Sequence, residues 1–201
     1  VLQRIQQSPP DVIDIGLTGA SGYRLQRQAC ELGIAPTAKT AIFSNLEVQY
    51  PDFWENVGKC GVYTVFPYIG LPGALQTEKT KAFIAKYDEK FGQRPGAAAL
   101  AAYDAISIMM DGITRAGTTE SGALIKALEA TDFEGVQGKY YFEYTSTNPL
   151  PADVPAWMWH QWPFPNVFDL QYIEENQPVD NAVIVFPREL STGPTYTSPP
   201  K

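Results

Sequence analysis

The strongest constraint on this chain is the alternation in its first third, where short apolar runs and helix-patterned segments take turns. Residues 11–34, DVIDIGLTGASGYRLQRQACELGI, open on a brief apolar run typical of a buried parallel strand. A glycine-containing turn follows. YRLQRQACEL then places Leu25, Ala29 and Leu32 on one helical face, with Gly33 as the expected C-cap. AKTAIFS supplies a second strand, and the aromatic segment YPDFWENVG leads to a third, GVYTVFPYI. Two helix-linked parallel strands in succession imply a right-handed, doubly wound α/β sheet. The first ten residues, VLQRIQQSPP, read as the tail of a helix whose preceding strand is missing, so the chain is expected to start inside a larger fold.

The composition changes after residue 69. GLPGALQ reads as a linker, with Gly70, Pro72 and Gly73 as candidate hinge residues. Thr77 is the expected N-cap of a helix in which Phe83, Tyr87 and Phe91 recur every four residues, ending at Gly92. In GAAALAAYDAISIMMDGITRAG the apolar positions cover most of the helical circumference. Tyr103 is therefore expected in the core, with Asp104, Ser107, Asp111 and Arg115 on a polar stripe. A third helix, SGALIKALEAT, follows. GKYYFEY, AWMWHQW and VFDLQYIEENQPVDNAVIVFP read as strand-like, and ENQPVDN as the turn of a hairpin. RELSTGPTYTSPPK is a polar, proline-rich tail with no core to join.

Several function classes are disfavoured at once. The 201 residues carry a formal net charge of −7, which argues against a sequence-independent grip on nucleic acid or on an anionic membrane. The longest apolar segment is broken by Asp104 and Asp111 and falls short of a bilayer span. The first residues show no signal-peptide pattern, which says little about location. Cys30 and Cys60 stand at no metal-ligand spacing and read as two small, half-buried thiols, in preference to a bridge or a reactive pair.

The loop GLTGASGY is the one segment that invites an enzymatic reading. TGASGY matches the first positions of the T-G-x-x-G-x-x-G turn of short-chain dehydrogenases, in which glycines let backbone approach a pyrophosphate. The third glycine, however, falls on Leu25, and AIFSN ends without the acidic residue that holds a ribose hydroxyl. A serine elbow fails as well, because Tyr23 stands where its last glycine belongs. The lone His160 sits among aromatics and reads as packed or hydrogen-bonded, while Glu174 and Glu175 lie by a turn and read as solvated. No catalytic residue, metal ligand or cofactor is expected. What remains is a helix N-terminus with free amides, at which either Thr18, Gly19, Ala20 and Ser21 meet a ligand or Ser21 is an N-cap and Gly19 a turn glycine.

Motifs spread along the chain resemble the C-terminal part of a type I periplasmic solute-binding protein of the branched-chain amino-acid ABC-importer family. They are PDVIDIG followed by GYRLQRQACELGI; CGVYTVFPY; FIAKYDEKFGQRPGAAALAAYDAISIMMDGITRAG; ALEATDFEGVQGKYYFE; and the final aromatic WMWHQWPFPNVFDLQYIEENQPVDNAVIVFP. The resemblance implies two Rossmann-like α/β lobes joined by crossovers, with the first half of lobe one missing. Residues 1–68 would then belong to lobe two and 69–76 to the hinge. Residues 77–150 would belong to lobe one, 151–187 would return to lobe two, and 188–201 would form a tail.

The same resemblance implies a small-molecule ligand held by lobe closure, an ABC permease as membrane partner and a periplasmic or exported location. It places ligand contacts on Thr18, Gly19, Ala20 and Ser21, on Lys59 and Cys60 before the third strand, and on Tyr68 at the hinge. Amino-acid binders of the family carry an acidic residue at the position of Cys60. A thiol there cannot neutralise an ammonium group, which turns the expectation towards a carboxylate, aromatic acid or amide. A ligand-sensing receptor domain of the same fold is the alternative, and an NAD(P)-dependent short-chain dehydrogenase a more distant one.

Overall fold

In a computed structural model, residues 1–163 and 166–200 of the chain are described. The Phe164-Pro165 step of the final aromatic motif lies outside them. The chain forms two compact units, Val1–Leu75 with Val167–Lys201, and Gln76–Asn166.

The first unit is built on a five-stranded sheet. Helix α1 (Leu2–Gln7) precedes strand β1 (Val12–Asp14), helix α2 (Ala20–Glu31), strand β2 (Ala41–Phe43), the short helix α3 (Phe53–Val57) and strand β3 (Val65–Ile69). The strands β6 (Val167–Gln171) and β7 (Val183–Phe186) complete it in the order β1-β2-β3-β6-β7. The first three run parallel, β6 is antiparallel to β3 and β7 antiparallel to β6, so the expected doubly wound sheet and terminal hairpin are both present. One face of the sheet carries two apolar clusters. Ile15, Ala29, Ile34, Ala35 and Ile42 pack with Leu2 and Ile5 of α1, while Phe53, Phe66, Tyr68, Leu170, Tyr172 and Ile184 form the larger core.

Two local expectations are corrected in this unit. Cys30 and Cys60 form a disulfide with a Cα–Cα distance of 5.7 Å, not two free thiols. The apposition of the last turn of α2 with the turn before β3 was invisible in the spacing of the cysteines. Gln26 explains it: from inside α2 its amide donates to the Cys60 carbonyl at 3.1 Å and to Thr64 Oγ1 at 2.6 Å, drawing the two segments together. The tail also joins the sheet. Gln171 Oε1 accepts from the Thr197 amide at 2.8 Å and its Nε2 donates to the Thr197 carbonyl at 2.9 Å, so one side chain stands in for a strand partner.

The second unit contains helices α4 (Glu78–Phe91), α5 (Ala97–Ala116) and α6 (Ser121–Glu129) with an antiparallel pair, β4 (Asp132–Gly135) and β5 (Gly138–Tyr141). Thr77 caps α4 as expected, in a reciprocal pair with Thr80, and Gly92 closes it in the left-handed region. AWMWHQW forms turns and a short 3-10 segment instead of a strand.

The polarity of α5 is opposite to that expected from its periodicity. Asp104 is 1% exposed, whereas Tyr103 is 46% exposed and Ile106 66%. The cause is a demand for acceptors at the hairpin bend. Asp104 Oδ1 accepts from the Val136 amide at 2.7 Å and Oδ2 from the Gln137 amide at 2.9 Å, so the carboxylate is turned inward to satisfy buried backbone. By length and mean hydropathy, 1.2, α5 is apolar enough to cross a bilayer, contrary to the reading of its interrupted sequence. Asp104 nevertheless ties it into the second unit.

Two outcomes are expected. The double variant Cys30→Ser with Cys60→Ser loses roughly 3 kcal/mol of stability, because the bridge closes a loop of 30 residues in the unfolded chain. Urea unfolding of the oxidised, reduced and variant forms checks this, and the reduced form should coincide with the variant. Asp104→Ala orphans two buried amides and costs about 3 kcal/mol or more, seen as an earlier unfolding of the second unit by hydrogen exchange at Val136 and Gln137.

Candidate functional site

The loop Gly16–Gly19 leaves β1 at its carboxyl end and opens α2. Gly19, with φ +63° and ψ −151°, occupies backbone space that L side chains avoid, although nothing lies within 4 Å of where its Cβ would stand. Gly22 serves differently: a Cβ there would come within 2.9 Å of the Leu17 carbonyl oxygen. The two glycines thus let the loop fold back over the first turn of the helix, with no phosphate needed to explain them. The N-cap is Gly19, so Ser21 lies inside the first turn and is not the capping residue. Thr18, Ala20 and Ser21 are exposed. By position, the amides of Ala20 and Ser21 have no acceptor within the helix.

The loop after β2 meets this turn. The Gly19 amide donates to the Glu47 carboxylate, and the Asn45 side-chain amide donates to the Leu17 carbonyl. Asn45 Oδ1 in turn accepts from the Glu47 amide at 3.0 Å, which fixes the approach of the carboxylate. Tyr23 supports the arrangement from below, donating its hydroxyl to the Glu47 carbonyl at 3.0 Å and to Asp52 Oδ1 at 3.3 Å. Burial first, and then the charges of Asp52 and Glu47, hold the Tyr23 hydroxyl protonated far above its usual range. The outcome is a half-buried carboxylate at the positive end of α2, beside exposed amides and hydroxyls, at the carboxyl ends of two parallel strands. In open α/β sheets this is where ligands are bound.

The structure places the other residues expected at the site as follows. Cys60 is 4% exposed and bonded to Cys30, ten residues along α2 from Ala20 and so about 15 Å from the loop. Lys59 beside it is exposed, and Tyr68 is enclosed in the core of the first unit. The structure gathers Thr18 to Ser21 with Asn45 and Glu47; Cys60 is held at the far end of α2, and Tyr68 is buried near the carboxyl end of β3. Glu47 was overlooked because it stands two residues beyond AIFSN, past the position at which an acidic residue was sought.

His160, in the second unit, is hydrogen-bonded as its surroundings suggested. Its Nε2 lies 2.7 Å from Glu129 Oε1, and Glu129 also accepts from the amide and hydroxyl of Ser146. These bonds, the Ser146 ones first, lower the carboxyl of Glu129 below its usual range. Ser146 and His160 both address Glu129 and not each other, so the three do not form a nucleophile–base relay.

Residues 1–157 match the family model described as periplasmic binding protein. Among solved structures, the chain is similar to a leucine-binding protein from Thermotoga maritima, with 21% identity and a TM-score of 0.64 over 91% of this chain and 46% of that one. It is similar to a branched-chain amino-acid transporter substrate-binding protein from Streptococcus pneumoniae in complex with isoleucine, with 19% identity and a TM-score of 0.68 over 91% and 47%. A benzoate-bound ABC-transporter solute-binding protein from Rhodopseudomonas palustris covers all of this chain with 47% of its own, at 13% identity and a TM-score of 0.65. The chain thus spans about half the length of these proteins. No functionally curated relative matches it.

Gly19→Ala is expected to cost about 1–3 kcal/mol through backbone strain alone. Gly16→Ala, at a position with equally open space and no left-handed backbone, should stay within about 1 kcal/mol of the parent. Paired urea titrations of the two variants check this. The family model matched over most of the chain and the likeness in α/β fold to these structures lead to one conclusion: the chain belongs to the periplasmic binding proteins, with the type I fold.

Proposed function

We propose that this chain is part of the solute-binding component of an ABC importer, and that it grips an amino-acid-like ligand at the Gly16–Ser21 loop. The observation that carries the reading is the Glu47 carboxylate on the Gly19 amide. An acidic acceptor beside free amides and exposed hydroxyls suits a ligand presenting an ammonium group together with a carboxylate or amide. In this reading Glu47, not the position of Cys60, supplies the counter-charge for an ammonium group. Capture then needs no bond chemistry, only ligand contacts that favour a closed arrangement of two lobes, which a membrane permease reads. The Cys30–Cys60 bridge supports an exported or periplasmic location, because disulfides persist in oxidising compartments.

Isothermal titration with isoleucine, leucine and benzoate tests the proposal. An amino acid should bind, and Glu47→Gln should weaken it about tenfold or more, the worth of a charged hydrogen bond, while the melting temperature stays within a few degrees of the parent. Benzoate binding that is indifferent to Glu47→Gln, with no amino-acid binding, would reverse the ligand class. Saturable quenching of tryptophan fluorescence by NAD(P) would reverse the function.

A further inference from the structure

Tyr23, Gln26 and Cys30 stand three and then four residues apart in α2 and so share one face of the helix. Each is tied to the segment between Glu47 and Thr64. The Tyr23 hydroxyl donates to the Glu47 carbonyl at 3.0 Å. The Gln26 amide donates to the Cys60 carbonyl at 3.1 Å and to Thr64 Oγ1 at 2.6 Å, and Cys30 is bonded to Cys60. The helix is therefore fastened at the loop site, at its middle and at its last turn, and the last fastening is the covalent one.

The other end of that bond is a constrained turn. The 3-10 segment Gly58–Gly61 leads into β3 through Tyr63, whose φ of +68° lies in the left-handed region that a bulky residue seldom occupies. Towards β6, the Tyr63 amide donates to the Tyr172 carbonyl at 2.8 Å, and the Tyr63 carbonyl accepts from Gln171 Nε2 at 3.1 Å. Towards α2, Gln26 and the disulfide hold the same turn. Against α3, Gly61 packs so closely that a Cβ would stand 2.7 Å from the Phe53 ring. A strained backbone persists where its surroundings over-determine it. Here one of those restraints is a bond that thiol chemistry can open.

We infer that the Cys30–Cys60 bridge is a redox latch on the loop site. Closed, it keeps the first turn of α2 in register with Glu47; opened by a dithiol, it lets the 58–64 turn relax and α2 shift. Cys30 is half-buried and Cys60 4% exposed, so Cys30 is the sulfur that an incoming thiolate meets first. Attack there forms a mixed disulfide, and Cys60 leaves as a thiolate that takes a proton. The second thiol of the reductant, deprotonated, then closes on the first and releases Cys30, which is protonated in turn. The reductant ends as a disulfide and the chain gains two thiols. The effect on ligand affinity rests on the ligand site proposed above; the latch itself does not.

Dithiothreitol is the probe, with backbone amide shifts of the whole chain read in the oxidised and reduced forms. The latch predicts shifts at Gly19–Tyr23, Asn45 and Glu47, about 15 Å along α2 from the sulfur. A cross-link that acts only by restraining the unfolded chain would move only residues within a turn of the two cysteines. The Cys30→Ser, Cys60→Ser double variant should reproduce the reduced spectrum and ignore dithiothreitol. Tyr63→Gly, which relieves the oxidised turn, should require about fivefold more dithiothreitol for half-reduction. Isoleucine affinity should fall about fivefold to tenfold on reduction of the parent and stay unchanged in the double variant. The latch is overturned if the shifts stay beside the cysteines, if Tyr63→Gly is reduced as readily as the parent, or if circular dichroism shows the reduced chain unfolded. Equal isoleucine affinity in both forms overturns its hold on the site. Moved shifts with no isoleucine binding in either form overturn the ligand-site reading and leave the latch standing.

Discussion

Tyr172 is where two remote parts of the sequence close on each other. Its ring lies 4.7 Å from that of Phe66 in β3, 4.9 Å from Trp54 and 5.8 Å from Phe53, and its hydroxyl donates to the Val48 carbonyl at 3.2 Å. All of those partners belong to the first third of the chain, while Tyr172 arrives only after the whole second unit has been traversed. Without this aromatic junction the parallel half of the sheet, β1 to β3, would lack the antiparallel β6 and β7 that complete its core. Everything that positions the Gly16–Ser21 loop follows from it. The core holds α3 and β3, Gln26 and the disulfide hold α2 to the segment before β3, and α2 presents its first turn to Glu47.

Much of this was readable from local pattern. The strands after residues 11, 39 and 61 announce themselves as short apolar runs, and the Thr77 cap and Gly92 stop of α4 follow from side-chain chemistry that acts within a few residues. The errors share a different origin. Periodicity assigns the more apolar side of a helix to the interior, yet Asp104 is drawn inward by two amides that lie about thirty residues further on. Likewise nothing near Cys30 or Cys60 reveals that Gln26 bridges their segments. The tail looked coreless because its anchor, Gln171, belongs to another element. In each case a long-range hydrogen bond overruled a local preference.

The candidate site shows the same division. Its glycines were legible, but their purpose was not. Gly19 and Gly22 resemble a phosphate cradle in sequence, while in space they allow a loop to lie against its own helix. Glu47 escaped notice because its relevance depends on β1 and β2 being adjacent and parallel, which brings the ends of both strands to one edge. Sequence distance from a strand end is a poor guide to what a loop reaches.

The outward side of α5 carries a consequence of its own. Tyr103, Ile106 and Met110 are between 46% and 66% exposed on one helix, with Phe91 of α4 exposed as well. Apolar surface of this extent attracts like surface, so the second unit, handled alone, would be a poor colloid. Its light scattering would climb steeply with concentration, and mild detergent or a lowered protein concentration would restore a monodisperse solution. A fragment cut at Leu75 and Asn166 for biophysical work would thus report on its own self-association before it reported on its folding.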